Sequence, residues 1–464
     1  MGTWVRAALA FSMLPRAALA EVVCGGHKAE NCAKCPQGGG EVWCNADCVW
    51  ADGKCVRRDG KPDGGREPDL KGLRHKWGEW PMPPDVRPAG CKAPAPPSAF
   101  KNHTVSVVIP WLGESWQHLE GTLRALMHFT PDELIEEYMF VSDGNANTYE
   151  KELKSISPKV TVVALPQREG LIRAKMKGVA LARGPVIVFM EAHCIVNKDW
   201  LEPLLERVVL HPKVLAMPFL DVIPPEDWYS YHPGFLGHWR YEWNFNLILS
   251  NPGGSIDEGP APYPSPGTSG GIFAMRKDWF NHLELFDEGM LQWGGDHFEL
   301  TMKVWRCGGR IEIVPCSRMG HVFRTAETRP YHVETKQVIQ NYARLALIWT
   351  QDHLPFFYKV KPEARQFRFN DLEALHEKHR ELKCRDMRWY LSNVDFEMEW
   401  EMHRICIPGA PKGHPVACEG PAAHGRSTID RVMPYEDYWA RRQQAKEKSI
   451  RRRERAKDRA DDEL

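Results

Sequence analysis

The chain has 464 residues, of which 43% are hydrophobic and 26% charged, and its 61 basic and 61 acidic side chains cancel. That composition belongs to a globular protein with a sizeable core and excludes a disordered chain. The balanced charge gives no global attraction to nucleic acid or to an acidic membrane, and no apolar run approaches the roughly 20 residues that span a bilayer.

Residues 1–20 have a short basic start, an apolar stretch from Ala7 to Leu14 and small residues at Ala18 and Ala20, the pattern of a cleaved secretory signal. Residues 21–56 hold six cysteines, Cys24, Cys32, Cys35, Cys44, Cys48 and Cys55, among Gly, Asn and Asp. So small a segment has almost no core, so cross-links must supply its stability; Cys32 and Cys35 also have a zinc-ligand spacing, and the signal in front favours disulfides. Residues 57–100, rich in Gly and Pro, read as an extended linker or wrapping segment.

From residue 101 to about 400 the pattern is that of an α/β domain. Short β-branched runs at Val105–Ile109, Tyr138–Val141, Val160–Val163 and Val186–Phe189 alternate with helical stretches at Trp116–Phe129, Tyr149–Ile156 and Leu171–Ala182. Alternation of this kind predicts βαβ units and a parallel sheet covered on both faces. Ligands of such sheets bind at the carboxyl ends of the strands. That edge would carry Pro110 and Trp111, then Ser142-Asp143-Gly144, then Arg168-Glu-Gly170, then Glu191-Ala-His193. Glu191 and His193, two apart, share one face of an extended chain, and a carboxylate with an imidazole suits a cation such as Mn²⁺. Each signal taken singly has a plain structural reading as a turn, a cap or a solvated helix start.

Their joint order carries a resemblance. Arg168-Glu-Gly-Leu-Ile-Arg173, Val188-Phe-Met-Glu-Ala-His-Cys194, Gly270-Gly-Ile-Phe273, Phe286-Asp-Glu-Gly-Met290, Trp293-Gly-Gly295, Cys307-Gly-Gly309, Gly320-His-Val-Phe-Arg324 and Arg388-Trp-Tyr-Leu-Ser-Asn-Val394 are similar to segments of the polypeptide N-acetylgalactosaminyltransferases of mucin-type O-glycosylation. The resemblance spans about Cys91 to Val394 and implies a GT-A fold, a Rossmann-like, mostly parallel central sheet. It implies retaining transfer of a sugar, GalNAc first among the candidates, from a UDP-sugar to Ser or Thr hydroxyls of a protein acceptor, with Mn²⁺. Glu191, His193 and His321 are then the metal ligands. Asp143 and Arg168 hold the nucleoside, Lys175, Gly270, Gly271 and Tyr331 belong to donor binding, and Trp293, Asp296 and Arg324 to the catalytic pocket. A donor sugar other than GalNAc is the nearest alternative, and an inactive ER-resident binding protein for glycoproteins is a second.

The chain departs from the family where the sugar and metal would sit. The family has Asp at the place of Glu191, whose extra methylene adds about 1.5 Å of reach. Asp296 and His297 stand for Glu and Asn, Lys175 for an Arg that contacts the donor sugar, and the loop after Arg324 lacks the usual His. By the family's pattern Cys91 pairs with Cys316 and Cys307 with Cys384, Cys194 stays free, and Cys406 and Cys418 remain as a last pair. Family members usually add a β-trefoil lectin domain; residues 401–464 have neither its length nor its repeats and read as an extension with a charged helical tail. Between Arg441 and Leu464 that tail has 10 basic and 6 acidic residues, on a mildly acidic body. The ending Asp461-Asp-Glu-Leu464 resembles signals read by the ER retrieval receptor, and Asn102-His-Thr104 is a sequon, both consistent with a secretory lumen, ER or Golgi.

Overall fold

The computed structural model describes residues 82–405, apart from 226, 252–255, 257, 258 and 325–327, and the backbone of four short strands nearer the N-terminus. The expected signal, the pairing of the six N-terminal cysteines and of Cys406 with Cys418, and the charged tail lie outside the described residues. The chain divides into two compact units between Pro83 and Pro84. In the first, β1 (Val22–Cys24) pairs antiparallel with β2 (His27–Ala29), and β3 (Cys48–Ala51) with β4 (Lys54–Arg57).

In the second unit the predicted alternation is realised almost residue for residue. Strand β5 (Val105–Trp111) is buried throughout. Helix α1 (Trp116–Phe129) begins where the Ser115 hydroxyl accepts the His118 backbone N–H, and buries Leu119, Leu123 and Leu126 on one stripe. Then come β6 (Ile135–Asp143), α2 (Glu150–Ile156), β7 (Val160–Leu165), α3 (Leu171–Leu181) and β8 (Val186–Phe189). Strands β8, β5, β6 and β7 lie side by side and parallel, as crossover helices require.

The other half of the sheet is mixed. After β9 (Cys194–Val196) and α4 (Leu201–Leu210), β10 (Val214–Ile223) continues the parallel direction. A separate hairpin, β11 (His238–Tyr241) and β12 (Leu247–Ser250), and the short β13 (Tyr263–Pro264) follow. Strand β14 (Phe273–Arg276) then inserts antiparallel between β8 and β10. Behind α5 (Lys277–His282) and α6 (Asp296–Arg306), the long β15 (Arg310–Val322) pairs parallel with β10 and antiparallel with β9 and β13. Helices α7 (Thr335–Trp349), α8 (Leu354–Val360), α9 (Leu372–Glu381), α10 (Met387–Asn393) and α11 (Phe396–Ile405) complete the unit.

The core lies between this sheet and the later helices. Phe189, Phe273, Phe280 and Phe298 are fully buried, and each such side chain contributes about 1.5–3 kcal/mol through apolar burial. Phe245 joins Phe298 and Phe357 with ring centroids 3.9 and 4.7 Å apart. Part of the segment read as a linker is integrated into this unit: Arg87 bonds Asp199, the Asn197 amide donates to the Pro84 carbonyl, and Cys91 is joined to Cys316. Cys307 is joined to Cys384, and Cys194 is free and buried. Both bridges and the free thiol follow the pattern that the resemblance implied.

Candidate active site

The carboxyl edge of the sheet gathers most of the selected side chains. Glu191 and His193 sit in the turn between β8 and β9 rather than on an extended strand, so the turn, not a two-residue period, brings them together. Pairing of β9 with β15 sets His321 opposite Cys194, and the Val322 N–H donates to the His193 carbonyl. The result is a compact trio in which one donor atom from each of Glu191, His193 and His321 lies within 4.8 Å of the others. Glu191 Oε2 is 2.9 Å from His193 Nε2 and 3.0 Å from His321 Nε2. One carboxylate and two imidazoles converging on one point are a donor set that fits a borderline divalent cation such as Mn²⁺.

The electrostatics of the trio differ from group to group. Burial works against ionisation of Glu191, yet the two histidines hold its pKa well below the usual carboxylate range. His193 is bonded through both ring nitrogens to carboxylates, Glu191 on one side and Glu114 on the other. Although burial lowers its pKa, those bonds raise it overall. Burial wins at His321, whose pKa is lowered, and its buried Nδ1 has no hydrogen-bond partner among the described residues.

Glu114, at the loop between β5 and α1, was not singled out in the sequence. Its carboxylate takes His193 Nδ1 at 3.0 Å and both terminal nitrogens of Arg324 at 2.6 Å, with His118 Nδ1 at 3.2 Å. Burial raises its pKa, but the His118, His193 and Arg324 bonds outweigh that and keep it ionised. Arg324, which the resemblance assigns to the catalytic pocket, is thus held bidentate by this side chain.

On the far side, α6 opens at Gly295, in the left-handed region at φ +98°, and its first residue is Asp296. Asp296 is buried; Lys175 Nζ donates to its Oδ2 at 2.7 Å and His297 Nδ1 lies 3.2 Å from Oδ1. Desolvation pushes its pKa up, Lys175 and His297 push it down harder, and it remains a carboxylate. Trp293 lies beside it, its ring centroid 6.4 Å from that of His297. Gly270 and Gly271 join the two sides. A Cβ on Gly271 would fall 2.3 Å from Glu191 Oε1, and one on Gly270 would meet the His297 ring at 4.0 Å. No larger residue fits at 271 without displacing the carboxylate.

The region around Asp143 and Arg168 is tightly folded. Asp143 accepts the backbone N–H groups of Glu169 at 2.6 Å and Gly170 at 2.9 Å, and burial raises its pKa. It therefore positions the Arg168 loop as well as lining the crevice. Arg168 donates to the His332 carbonyl at 2.9 Å and lies over the Tyr331 ring at 5.8 Å. Burial pushes the Tyr331 hydroxyl up to about 12.

Comparison with known proteins accounts for this arrangement. Residues 106–284 match glycosyl transferase family 2, and residues 255–328 match the N-terminal domain of galactosyltransferase. The human polypeptide N-acetylgalactosaminyltransferase 10 is 31% identical over 336 residues, covering 71% of this chain and 54% of the relative. The inactive polypeptide N-acetylgalactosaminyltransferase-like protein 5 of Macaca fascicularis is 33% identical over 330 residues, covering 69% of this chain and 74% of the relative. The chain belongs to the polypeptide N-acetylgalactosaminyltransferase family. A crystal structure of GalNAc-T7 with UDP, GalNAc and Mn²⁺ aligns with a TM-score of 0.59 and 27% identity, covering 64% of this chain and 57% of that one. The fold is the GT-A fold of this family. The chain spans about half the length of the first of these relatives.

Proposed function

We propose that the protein is a retaining glycosyltransferase that moves a sugar, GalNAc in the first instance, from a UDP-sugar to Ser or Thr hydroxyls of a protein acceptor. The observation that carries this reading is the Glu191, His193 and His321 trio set against the Gly270–Gly271 pair at the carboxyl edge of a GT-A sheet. Glu191, His193 and His321 would hold Mn²⁺, which when bound supplies charge stabilisation for the departing diphosphate. Asp143 and Arg168 hold the nucleoside, and Tyr331 closes the crevice over it. Arg324 adds positive charge on the diphosphate side. The glycine pair lets the sugar lie against backbone, with Trp293 and His297 as its walls. Asp296, with both oxygens bonded to Lys175 and His297, orients those groups; it is poorly disposed to act as a nucleophile, which accords with attack by the acceptor from the side the UDP leaves. The compartment that goes with this proposal is the ER or Golgi lumen.

The test is a donor screen on purified protein with and without Mn²⁺, with UDP binding measured by calorimetry. Turnover of UDP-GalNAc in Mn²⁺ supports the reading, and turnover of UDP-glucose alone would replace the sugar. No turnover together with no UDP binding would end the enzyme reading. A second reading, an inactive protein that binds glycoproteins, is favoured by the substitutions at Glu191 and His297 and by the relative described as inactive. UDP binding without turnover of any donor would select it.

A further inference from the structure

The contacts of Glu114 go beyond burying a charge. Its side chain is 3% exposed and bonds three groups from three elements: His118 on α1, His193 in the β8–β9 turn, and Arg324 past the end of β15. Two of the three compete for one atom, since Oε1 takes both His193 Nδ1, at 3.0 Å, and Arg324, at 2.6 Å. His118 Nδ1 lies 3.2 Å from Glu114 Oε2 and 3.2 Å from Arg324. One nitrogen can donate to the first or accept from the second, not both in one tautomer. His118 itself packs at a tilt of 51° against buried Trp228, with ring centroids 4.6 Å apart.

We propose that Glu114 is a positioning residue that trades between two clients, presenting His193 to the cation and neutralising Arg324 while the site is empty. This rests on the reading of the trio as a cation site. A metal-binding imidazole works best when its other ring nitrogen donates to a carboxylate, which fixes the tautomer and makes the ligand more basic. His193 has that support from Glu114; His321 has none from the described residues, where its Nδ1 finds no partner. The outer support of the trio therefore falls on one side chain. His193 faces an ionised carboxylate at each ring nitrogen; a divalent cation in place of its Nε2 proton would add net positive charge beside Arg324, and the shared Oε1 would then bind Arg324 less tightly. Arg324, 9% exposed in its bond to Glu114, becomes free for an anion beside the metal. Cation binding and the release of a positive charge are thereby coupled through one oxygen atom.

Variants with opposite signs test the coupling. Glu114→Gln weakens the carboxylate support of His193 and leaves Arg324 unneutralised. Mn²⁺ affinity without nucleotide, read from the electron paramagnetic resonance of free Mn²⁺, should fall about 10–100-fold. UDP affinity in EDTA, read by calorimetry, should rise. Arg324→Met should do the reverse, tightening Mn²⁺ binding and weakening metal-free UDP binding, and it keeps the test alive if Glu114→Gln does not fold. General damage would weaken both ligands together, so parallel losses in either variant, or no change in both, overturn the proposal. Wild-type protein that binds neither MnCl₂ nor UDP instead overturns the reading on which it rests.

Discussion

Glu114 and Asp296 are two buried carboxylates at the two ends of one run of contacts, from Glu114 through His193 and Glu191 to Gly271, Gly270, His297 and Asp296. Each has one permanent cation and at least one histidine, so the two ends do not differ in formal charge. They differ in the cation. Arg324 is a planar fork, 9% exposed, that holds Glu114 by two bonds and still borders the cleft; Lys175 is a point charge, 1% exposed, enclosed by the Phe189 and Phe286 rings. Pairing therefore does different things at the two ends: it leaves the cation at the rim of the cleft beside the Glu191, His193 and His321 trio and seals it into the scaffold at Asp296.

Loss of the metal side is expected to have the largest effect. His321→Ala should abolish Mn²⁺-dependent turnover while the melting temperature stays near that of the wild type; retained turnover would remove His321 from the ligand set. At the sealed end the effect should be on stability. Lys175→Met leaves Asp296 charged and buried without its cation, at an expected 3–5 kcal/mol, roughly, in denaturant unfolding. The double change Lys175→Met with Asp296→Leu should recover most of that loss, and a double variant as unstable as the single one would show that the pair is not sealed as described.

Between the two ends, Gly271→Ala places a methyl against Glu191 Oε1. Because Glu191 can swing away, this variant should keep its stability and lose Mn²⁺ affinity by about 10-fold or more, measured without nucleotide. Unaltered affinity would separate the glycine pair from the metal side.

A third buried carboxylate, Asp395, sharpens the comparison because its Oδ2 has no hydrogen-bond partner among the described residues. It precedes α11 and accepts the Met398 N–H at 2.9 Å. Burial, only partly opposed by the Arg240 charge, pushes its pKa up to about 7 from an ordinary 3.8. A raised acid pKa means the folded state binds the proton more tightly, so its contribution to stability is complete below about pH 4 and is lost as pH rises towards 7. Asp395→Asn should flatten that stretch of the stability profile by on the order of 1–2 kcal/mol between pH 5 and 7. Thermal melts of both proteins across that range decide it, and parallel profiles would contradict the assignment.

The parallel half of the sheet was legible because its signals are local. Ser115 caps α1, Leu119, Leu123 and Leu126 mark its buried stripe, and Val186–Phe189 is bounded by Gly-Pro on one side. The antiparallel insertion of β14 was not legible, since the run Phe273–Arg276 is equally apolar in either direction and periodicity reports burial rather than orientation. The trio was readable from motif order, but the geometry that joins Glu191 to His193 was misjudged, because a turn imitates a strand over three residues. Glu114 escaped notice for a different reason. It stands three residues past β5, where an acidic residue before a helix reads as favourable helix-start electrostatics. Its three partners come from positions 118, 193 and 324, and no local pattern announces them. The pairing of Asp296 with Lys175, 121 residues apart, was hidden in the same way.

Cys91 leaves the ribosome 225 residues ahead of its partner Cys316, a delay of about 10–45 s at ordinary rates of synthesis. Cys316 stands on β15 five residues before His321, so the cysteine that closes this bridge and the histidine that completes the trio are synthesised almost together. Until then Glu191 and His193 lie on a growing chain that has not yet reached their third member. The timing makes the Glu191, His193 and His321 trio a late product of biosynthesis, completed only after the parallel half of the sheet, β5 to β8, has been synthesised.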